Sequence, residues 1–454
     1  MTTAWLLLLV NIAATWCCST IHVSPPNGDT VIGRTMELGS VGGETNWGGL
    51  LFGADPSDPS LPVQDPWTIS VHRRDEEVGK DISALVCGVA LPGKKQPGYG
   101  YVSVDGAGHL APELKSAGLT AGSPTSFTVS TDGMNEKGLT VSTQVFHQSV
   151  YMQPSAPEAS GTTNVCFMAF ADWVLGTFDS VKSLREALHD LKIVGPSPGF
   201  VEKALTLAGL AGLHWSIDDA SEHIVLEVLD GVIKMHNNTV GVMTNQPDFT
   251  WHLRNLNNFV NLRSEWPSNL EIQVQTNSSE GSEFEPEVEL VPDVTKAGHG
   301  FNLLGLPGDY SPPSRFVRLF YLRQYAMLRF NPPKKRKYKD SIALVTSLLN
   351  NVFINKGTVP DRKPGGVGEY TQYTVLKIPS ARLFFYKDYV GTQWRKVRLD
   401  KLDFSPKEGA LPITPVRLVE DRVSIKDVTA LFTASGSSTC EPDDDDDDAS
   451  SCES

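Results

Sequence analysis

An apolar run from Ala4 to Val10 gives way within a few residues to Cys17-Cys18-Ser19-Thr20-Ile21, and this junction constrains the fold more than any other stretch of the chain. The run is too short to cross a bilayer but suits the core of a secretory signal, and Thr15 and Cys17 are small enough to precede a signal-peptidase cut. Removal of residues 1–17 would make Cys18 the first residue of the mature protein. A terminal cysteine carries a thiol that can attack a carbonyl and an α-amine, of reference pKa about 7.7–8.0, that can take the thiol's proton. The amide nitrogen of an uncut chain is no base, so cleavage would switch the chemistry on.

Pro25-Pro26-Asn27-Gly28-Asp29 is a turn of the sort that joins two strands, and Gly33-Arg34-Thr35-Met36-Glu37 follows it. Such a hairpin brings Arg34 and Glu37 beside Cys18. An arginine next to a thiol lowers its pKa, and a nearby carboxylate can orient the ammonium or the thiol. The Cys-Ser-Thr-Ile start and the Gly-Arg-Thr-Met-Glu segment, at this spacing, resemble the choloylglycine hydrolase and penicillin V acylase family of N-terminal-nucleophile amidases. The family commonly has Asp where this chain has Glu37. The extra methylene shifts the carboxylate by about 1 Å, which the backbone must absorb.

Three later segments extend the resemblance over roughly Cys18 to Phe404. Two alternating runs, Ser126 to Thr131 and Leu139 to Phe146, flank Asp132-Gly133-Met134-Asn135-Glu136-Lys137-Gly138 and read as a hairpin with its turn there. In the family the strand after this segment lends a backbone N–H to the oxyanion hole, which assigns that role to Val145. Many members have Asn or Tyr at that place, so a side-chain contact to substrate is lost here while the backbone donor survives. Thr244-Asn245-Gln246-Pro247 resembles the segment whose asparagine donates its side-chain N–H to the oxyanion, implying Asn245. Gly305-Leu306-Pro307-Gly308-Asp309 with Ser314-Arg315-Phe316 resembles the segment whose arginine reaches the active site, implying Arg315. Ser311-Pro312 starts that helix well.

The resemblance implies an α+β fold of the N-terminal nucleophile hydrolase type, a four-layer αββα sandwich. It also implies an amidase that cleaves a linear C–N bond in a small N-acyl compound, such as a bile-salt conjugate, penicillin V or a fatty-acid amide, without metal or organic cofactor. The catalytic set would be Cys18, Arg34, Glu37, Val145, Asn245 and Arg315. The alternative is a secreted homologue that keeps the pocket and binds acyl compounds without turnover. Oligomeric state is open, a homo-oligomer included.

Elsewhere the residues support less specific readings. Trp67 to His72 and Ser83 to Cys87 read as short strands, Asp179 as the cap of a helix running to Leu191, and Asp340 as the cap of a helix bearing Ile342, Val345, Leu349 and Val352. Phe167 to Leu175 reads as core, and His214 and His223 as strand histidines paired to neighbours, since neither lies in a metal-ligand motif. Tyr373 to Leu376, Leu383 to Tyr386 and Lys396 to Leu399 read as closing strands, with the amidase domain spanning 18–404 and an extension 405–454 behind it. At 454 residues and 40% apolar composition there is ample core. The net charge of −14 owes more than half its excess to the tail Glu441, Asp443 to Asp448 and Glu453, so the rest gives no reason to expect nucleic acid as a partner. The leader, the four remaining cysteines Cys87, Cys166, Cys440 and Cys452, which allow three pairings, and the glycosylation-type triplets at Asn237 and Asn277 point to a secreted or lumenal protein, extracellular or in a lysosome-like compartment. Lys334-Lys335-Arg336-Lys337 reads as a solvated loop.

Overall fold

The computed structural model describes residues 17–38, 67–93, 98–106, 129–154, 162–199, 202, 205, 211–265, 300–333, 336, 338–360, 368–406 and 416–417. The leader, residues 39–66 and 107–128, the second glycosylation-type triplet, Cys440, Cys452 and the acidic tail lie outside the described residues.

In chain order the strands are β1 (Cys17–Val23), β2 (Val31–Leu38), β3 (Thr68–His72), β4 (Tyr101–Asp105), β5 (Ser130–Asn135), β6 (Thr140–Val145), β7 (Thr163–Cys166) and β8 (Leu191–Val194). They continue with β9 (Leu213–Asp218), β10 (His223–Leu229), β11 (Val232–Asn237), β12 (Val242–Met243), β13 (Tyr370–Ile378), β14 (Leu383–Asp388), β15 (Arg395–Arg398) and β16 (Val416–Arg417). Two antiparallel sheets hold the molecule together: β12-β1-β2-β13-β14-β15 and β11-β10-β9-β6-β5-β4-β3-β16. The helices Pro312–Met327 and Lys339–Asn350 pack on the outer face of the first, and Phe170–Thr177 on the outer face of the second. The result is the four-layer αββα sandwich, with the inner faces of the two sheets meeting at the core that includes Cys18.

The pleat explains the layering. Along β1, Ile21 and Val23 pack with Phe316, Val345 and Leu349 in the helix layer, whereas Cys18 joins the core shared with the second sheet. Gly33 on β2 has no room for a side chain, because a Cβ would stand 2.5 Å from Val345 and 2.8 Å from Leu349 of the covering helix. The apolar run Phe167 to Leu175 is buried throughout, as its composition indicates.

Several local expectations are corrected. Ser83–Cys87 is a π-helical turn continuing the short helix Lys80–Ile82, not a strand. Gly79 in the left-handed region opens it, Ile82, Val86 and Cys87 are buried, and a disulfide from Cys87 to Cys166 anchors its end to β7. That bond selects one of the three pairings. The N-cap of the following helix is Ser180, not Asp179: Ser180 and Ser183 form a reciprocal capping box, the helix stops at Ala187, and Leu191 begins β8. Asp340 sits inside the first turn of Lys339–Asn350, where its carboxylate pairs with exposed Arg336 at 3.0 Å, and Tyr338 holds the cap position. Asp132 and Gly133 belong to β5, with the turn confined to Glu136–Gly138. Beyond Phe404, Val416–Arg417 adds a strand to the edge of the second sheet against β3.

Candidate active site

β1 and β2 pair with Cys18 opposite Met36, Thr20 opposite Arg34 and Cys17 opposite Glu37. Partners across a ladder share a face, and neighbours along a strand alternate. Cys18, Met36 and Arg34 therefore point between the sheets, whereas Glu37 points with Ser19 toward the helix layer. The hairpin does bring Arg34 and Glu37 to Cys18, but to different sides of it: the cation to the sulfur, the carboxylate to the backbone side.

Around the sulfur, Arg34 Nη2 lies 3.4 Å from Cys18 Sγ, and Met36 Sδ lies 3.6 Å from it. Arg34 is fully buried and also donates to the Thr143 carbonyl at 2.7 Å and the Tyr373 hydroxyl at 2.5 Å. Burial pushes the Cys18 thiol above its ordinary pKa, outweighing the lowering by Arg34; Glu37 raises it further and Arg315 lowers it. On the other face, burial pushes the Glu37 carboxyl up to about 7 against the opposing charge of Arg315 and a 2.7 Å hydrogen bond from Thr371 Oγ1. Its Oε2 has no hydrogen-bond partner. In the chain that still carries Cys17, the thiol is held protonated.

Asn245 bridges the strands. Its Oδ1 accepts from the Cys18 backbone N–H at 2.7 Å and from Arg315 Nη2 at 3.0 Å, and its Nδ2 donates to the Val145 carbonyl at 2.9 Å. One of the two amide N–H bonds is thus engaged and the second remains to meet an oxyanion. Phe146 N–H is committed to Gly212 O, so the alternation of peptide groups along β6 directs the Val145 N–H to the opposite edge, the one from which Asn245 reaches it. Arg315 is fully buried and donates from Nη1 to the Cys18 carbonyl at 2.7 Å and Ser19 Oγ at 2.6 Å. All six residues singled out in the sequence converge on one site.

Others were not legible in advance. His252 Nε2 lies 3.0 Å from the Asn245 carbonyl while its ring stacks on Phe316, fixing the loop that carries the amide. Burial lowers its pKa to about 4, so it donates there as neutral imidazole. Glu227 accepts from Phe249 N–H at 3.0 Å and anchors the helix that follows the same loop. Tyr373, Thr371 and Met36 complete the surroundings. The sole advance signal was Met36 beside Arg34; the others come from remote strands and helices.

The strand histidines are paired, His214 with Glu227 at 3.3 Å and His223 with Asp218 at 3.0 Å. His22, Asp218 and His223 bring possible ligand atoms within 4.8 Å of one another. The two imidazoles, however, stack face to face at 3.6 Å with planes 16° apart, so their lone pairs run side by side instead of converging on one ion. Arg323 donates to the His22 carbonyl at 2.6 Å and adds positive charge beside them.

A buried cysteine at the end of an inner strand, faced by an arginine and an asparagine amide within a four-layer αββα sandwich, defines the class of N-terminal nucleophile hydrolases. The model of the family described as linear amide C–N hydrolases, choloylglycine hydrolase family, matches residues 113–412. A bile salt hydrolase/transferase of Clostridium perfringens (strain 13 / Type A) is 32% identical over 281 residues, which cover 61% of this chain and 74% of that protein. A penicillin V acylase of Pectobacterium atrosepticum is 26% identical over 290 residues, 62% of this chain and 64% of that one. Among solved structures, a mutant conjugated bile acid hydrolase from Clostridium perfringens superposes with a TM-score of 0.62 at 23% identity, covering 90% of this chain and 99% of its own. A penicillin V acylase from Agrobacterium tumefaciens gives 0.53 at 20% identity, covering 86% and 88%. The chain belongs to the choloylglycine hydrolase family of linear amide C–N hydrolases, and it is an amidohydrolase.

Proposed function

We propose that Cys18, freed by loss of residues 1–17, is the nucleophile of this amidohydrolase. The observation that carries the reading is the contact pair at one residue: the Cys18 backbone nitrogen on Asn245 Oδ1 at 2.7 Å and the sulfur against Arg34 at 3.4 Å. Once the Cys17–Cys18 bond is cut, that nitrogen becomes an amine. Protonated, it keeps Asn245 Oδ1 to donate to. The added positive charge also favours the thiolate, opposing the burial that holds the thiol protonated in the uncut chain.

In this scheme the amine takes the thiol proton and Sγ forms a bond to the acyl carbon. The carbonyl π pair moves to oxygen, held by the second Asn245 N–H and the Val145 N–H. The ammonium returns the proton to the departing nitrogen as the C–N bond breaks, leaving a thioester. Water, deprotonated by the same amine, then releases the acid and restores the thiol. Arg34 stabilises the thiolate, and Arg315 holds the Cys18 carbonyl and the Asn245 amide in place.

Conjugated bile-acid amides are our first candidate substrates, a reading supported by relatives named as bile salt hydrolases/transferases at 32%, 30% and 33% identity, against 26% for the penicillin V acylase. Penicillin V and fatty-acid amides come next. The apolar leader and the Cys87–Cys166 bond support a secreted or lumenal setting, since disulfides persist in oxidising compartments. No helix among the described residues is long and apolar enough to cross a membrane.

The test is mass spectrometry of the mature N-terminus together with hydrolysis assays on taurine- and glycine-conjugated bile acids, penicillin V and N-acyl amides. A chain beginning at Cys18, active on one of these and silent as Cys18→Ala, supports the reading. Turnover by Cys18→Ala, or by a chain that retains Cys17, defeats it.

A further inference from the structure

The interior behind Arg34 holds a charge arrangement that the reaction scheme does not use. Arg34 Nε stands 3.7 Å from Asp132 Oδ2, and Lys377 Nζ lies 2.5 Å from Asp132 Oδ1; the side chains of all three are fully buried. Asp132 comes from β5 of the second sheet, Arg34 and Lys377 from β2 and β13 of the first, so the carboxylate sits between two cations at the seam of the sandwich. Lys377 also donates to Ser142 Oγ at 2.7 Å. The short direct bond of Asp132 goes to the lysine, and its approach to Arg34 is longer.

A second anchor holds the other end of the guanidinium. Arg34 Nη1 donates to the Tyr373 hydroxyl, which lies 2.8 Å from Thr131 Oγ1; Thr131 in turn donates to the Val104 carbonyl at 2.9 Å. Since the single threonine proton is spent on Val104, the phenol must donate to Thr131, and its oxygen is left to accept from Arg34. The chain of donors runs in one direction, from Arg34 across the seam to the backbone of β4. Burial raises the Tyr373 pKa, which keeps the phenolic proton in place.

We propose that Lys377, Asp132 and Tyr373 are positioning residues for the amide hydrolysis, holding Arg34 against the Cys18 sulfur with its positive charge uncancelled. Alone with Asp132, Arg34 would belong to a neutral buried pair with little field left for the sulfur. Lys377 makes the trio net positive, and Tyr373 fixes the guanidinium edge that faces Cys18. The other charged groups that act on the thiol are Glu37 on β2 and Arg315 on the helix Pro312–Met327. β6 brings only uncharged residues to this region: its Thr143 carbonyl accepts from Arg34 and its Gln144 amide donates to Thr20.

This rests on Cys18 being the nucleophile, and the experiment separates the two. In the processed full-length protein, the rate of Cys18 alkylation by iodoacetamide is followed against pH by mass spectrometry, alongside kcat and KM on whichever amide the wild type hydrolyses. Lys377→Met should move the alkylation profile up by about one pH unit or more, as loss of a nearby opposite charge does to a thiolate. It should also lower kcat about tenfold or more with KM little changed. Lys377→Arg should restore most of both. Tyr373→Phe, which removes one oxygen and keeps the ring, should shift the profile in the same direction by a smaller step. A purely structural role would lower the folded fraction and leave the profile of the folded remainder in place. That result in Lys377→Met overturns the proposal; if Lys377→Met does not fold, an unshifted Tyr373→Phe overturns it. Hydrolysis surviving in Cys18→Ala would instead remove the nucleophile assignment itself.

Discussion

At the scale of single residues, chemistry at Cys18 is governed by which face of β1 and β2 each neighbour occupies. Asn245 reaches the Cys18 nitrogen, Arg315 and the Val145 carbonyl through one amide, and under the proposed mechanism its loss separates oxyanion binding from thiol reactivity. Asn245→Ala should lower kcat by about 10²–10³-fold, the usual loss for one oxyanion donor, while Cys18 still alkylates; steady-state kinetics and mass spectrometry check the two halves. Glu37 makes a stability prediction for the chain retaining Cys17. Its carboxyl titrates near 7 when folded against 4.5 as reference, so the folded state holds this proton more tightly than the unfolded. The stability from that proton is fully present below about pH 4.5 and is lost as pH rises through 7, by about 3 kcal/mol at most. Urea titrations from pH 4.5 to 8 should show this decline in the uncut protein, and Glu37→Gln should flatten it.

At the scale of elements, the β1–β2 hairpin is the unit that assembles the site, and its register depends on what covers it. The helix Lys339–Asn350 lies so close over Gly33 that Val345, Leu349 and Leu376 occupy the space of a side chain. Gly33→Ala should therefore force the helix outward and cost about 1–3 kcal/mol, as overpacking of a tight core does, read as a lowered urea midpoint at unchanged slope. Because Arg34 follows Gly33 directly, activity per folded molecule should fall as well. The helix Pro312–Met327 acts on the same hairpin from its N-terminal turn, where Arg315 reaches the Cys18 carbonyl and Phe316 seats the His252 ring.

At the scale of the whole molecule, several buried titratable groups shape the response to pH, Glu37 and His72 among them. Besides Glu37, His72 at the seam of β3 and β4 lies against Ser103 at 2.9 Å and Asp105 at 3.6 Å. Burial works against its charge, but the hydrogen bonds and charges of Asp105 and Glu76 outweigh it and bring its pKa to about 9. Stability from this proton is complete below about 6.5 and lost as pH rises through 9, about 3 kcal/mol in all. His72→Gln should remove the alkaline part of the stability profile and leave the Glu37 window untouched, so denaturation followed from pH 6 to 10 distinguishes them. The Cys87–Cys166 bond ties the π-helical turn to β7.

The chain's own order of residues was enough to reveal the β1–β2 hairpin with Cys18, Arg34 and Glu37, the buried stretch Phe167 to Leu175 and the closing strands, because turn chemistry and period-two alternation are local properties; Val145, Asn245 and Arg315 came from the resemblance of short motifs to the family. The α+β class and the reaction type followed from motifs such as Cys18 to Ile21 and Thr244 to Pro247. Tertiary structure alone decided that Glu37 faces the backbone side of Cys18 while Arg34 faces the sulfur, since only pairing fixes which side of a pleat a residue takes. It also decided that Cys87 meets Cys166, that Ser83 to Cys87 coils instead of extending, and that Tyr373, Asp132, Lys377 and His252 stand behind Arg34 and Asn245. Those side chains lie far from Cys18 in sequence and are brought to it by the packing of one sheet on another, which no local pattern encodes.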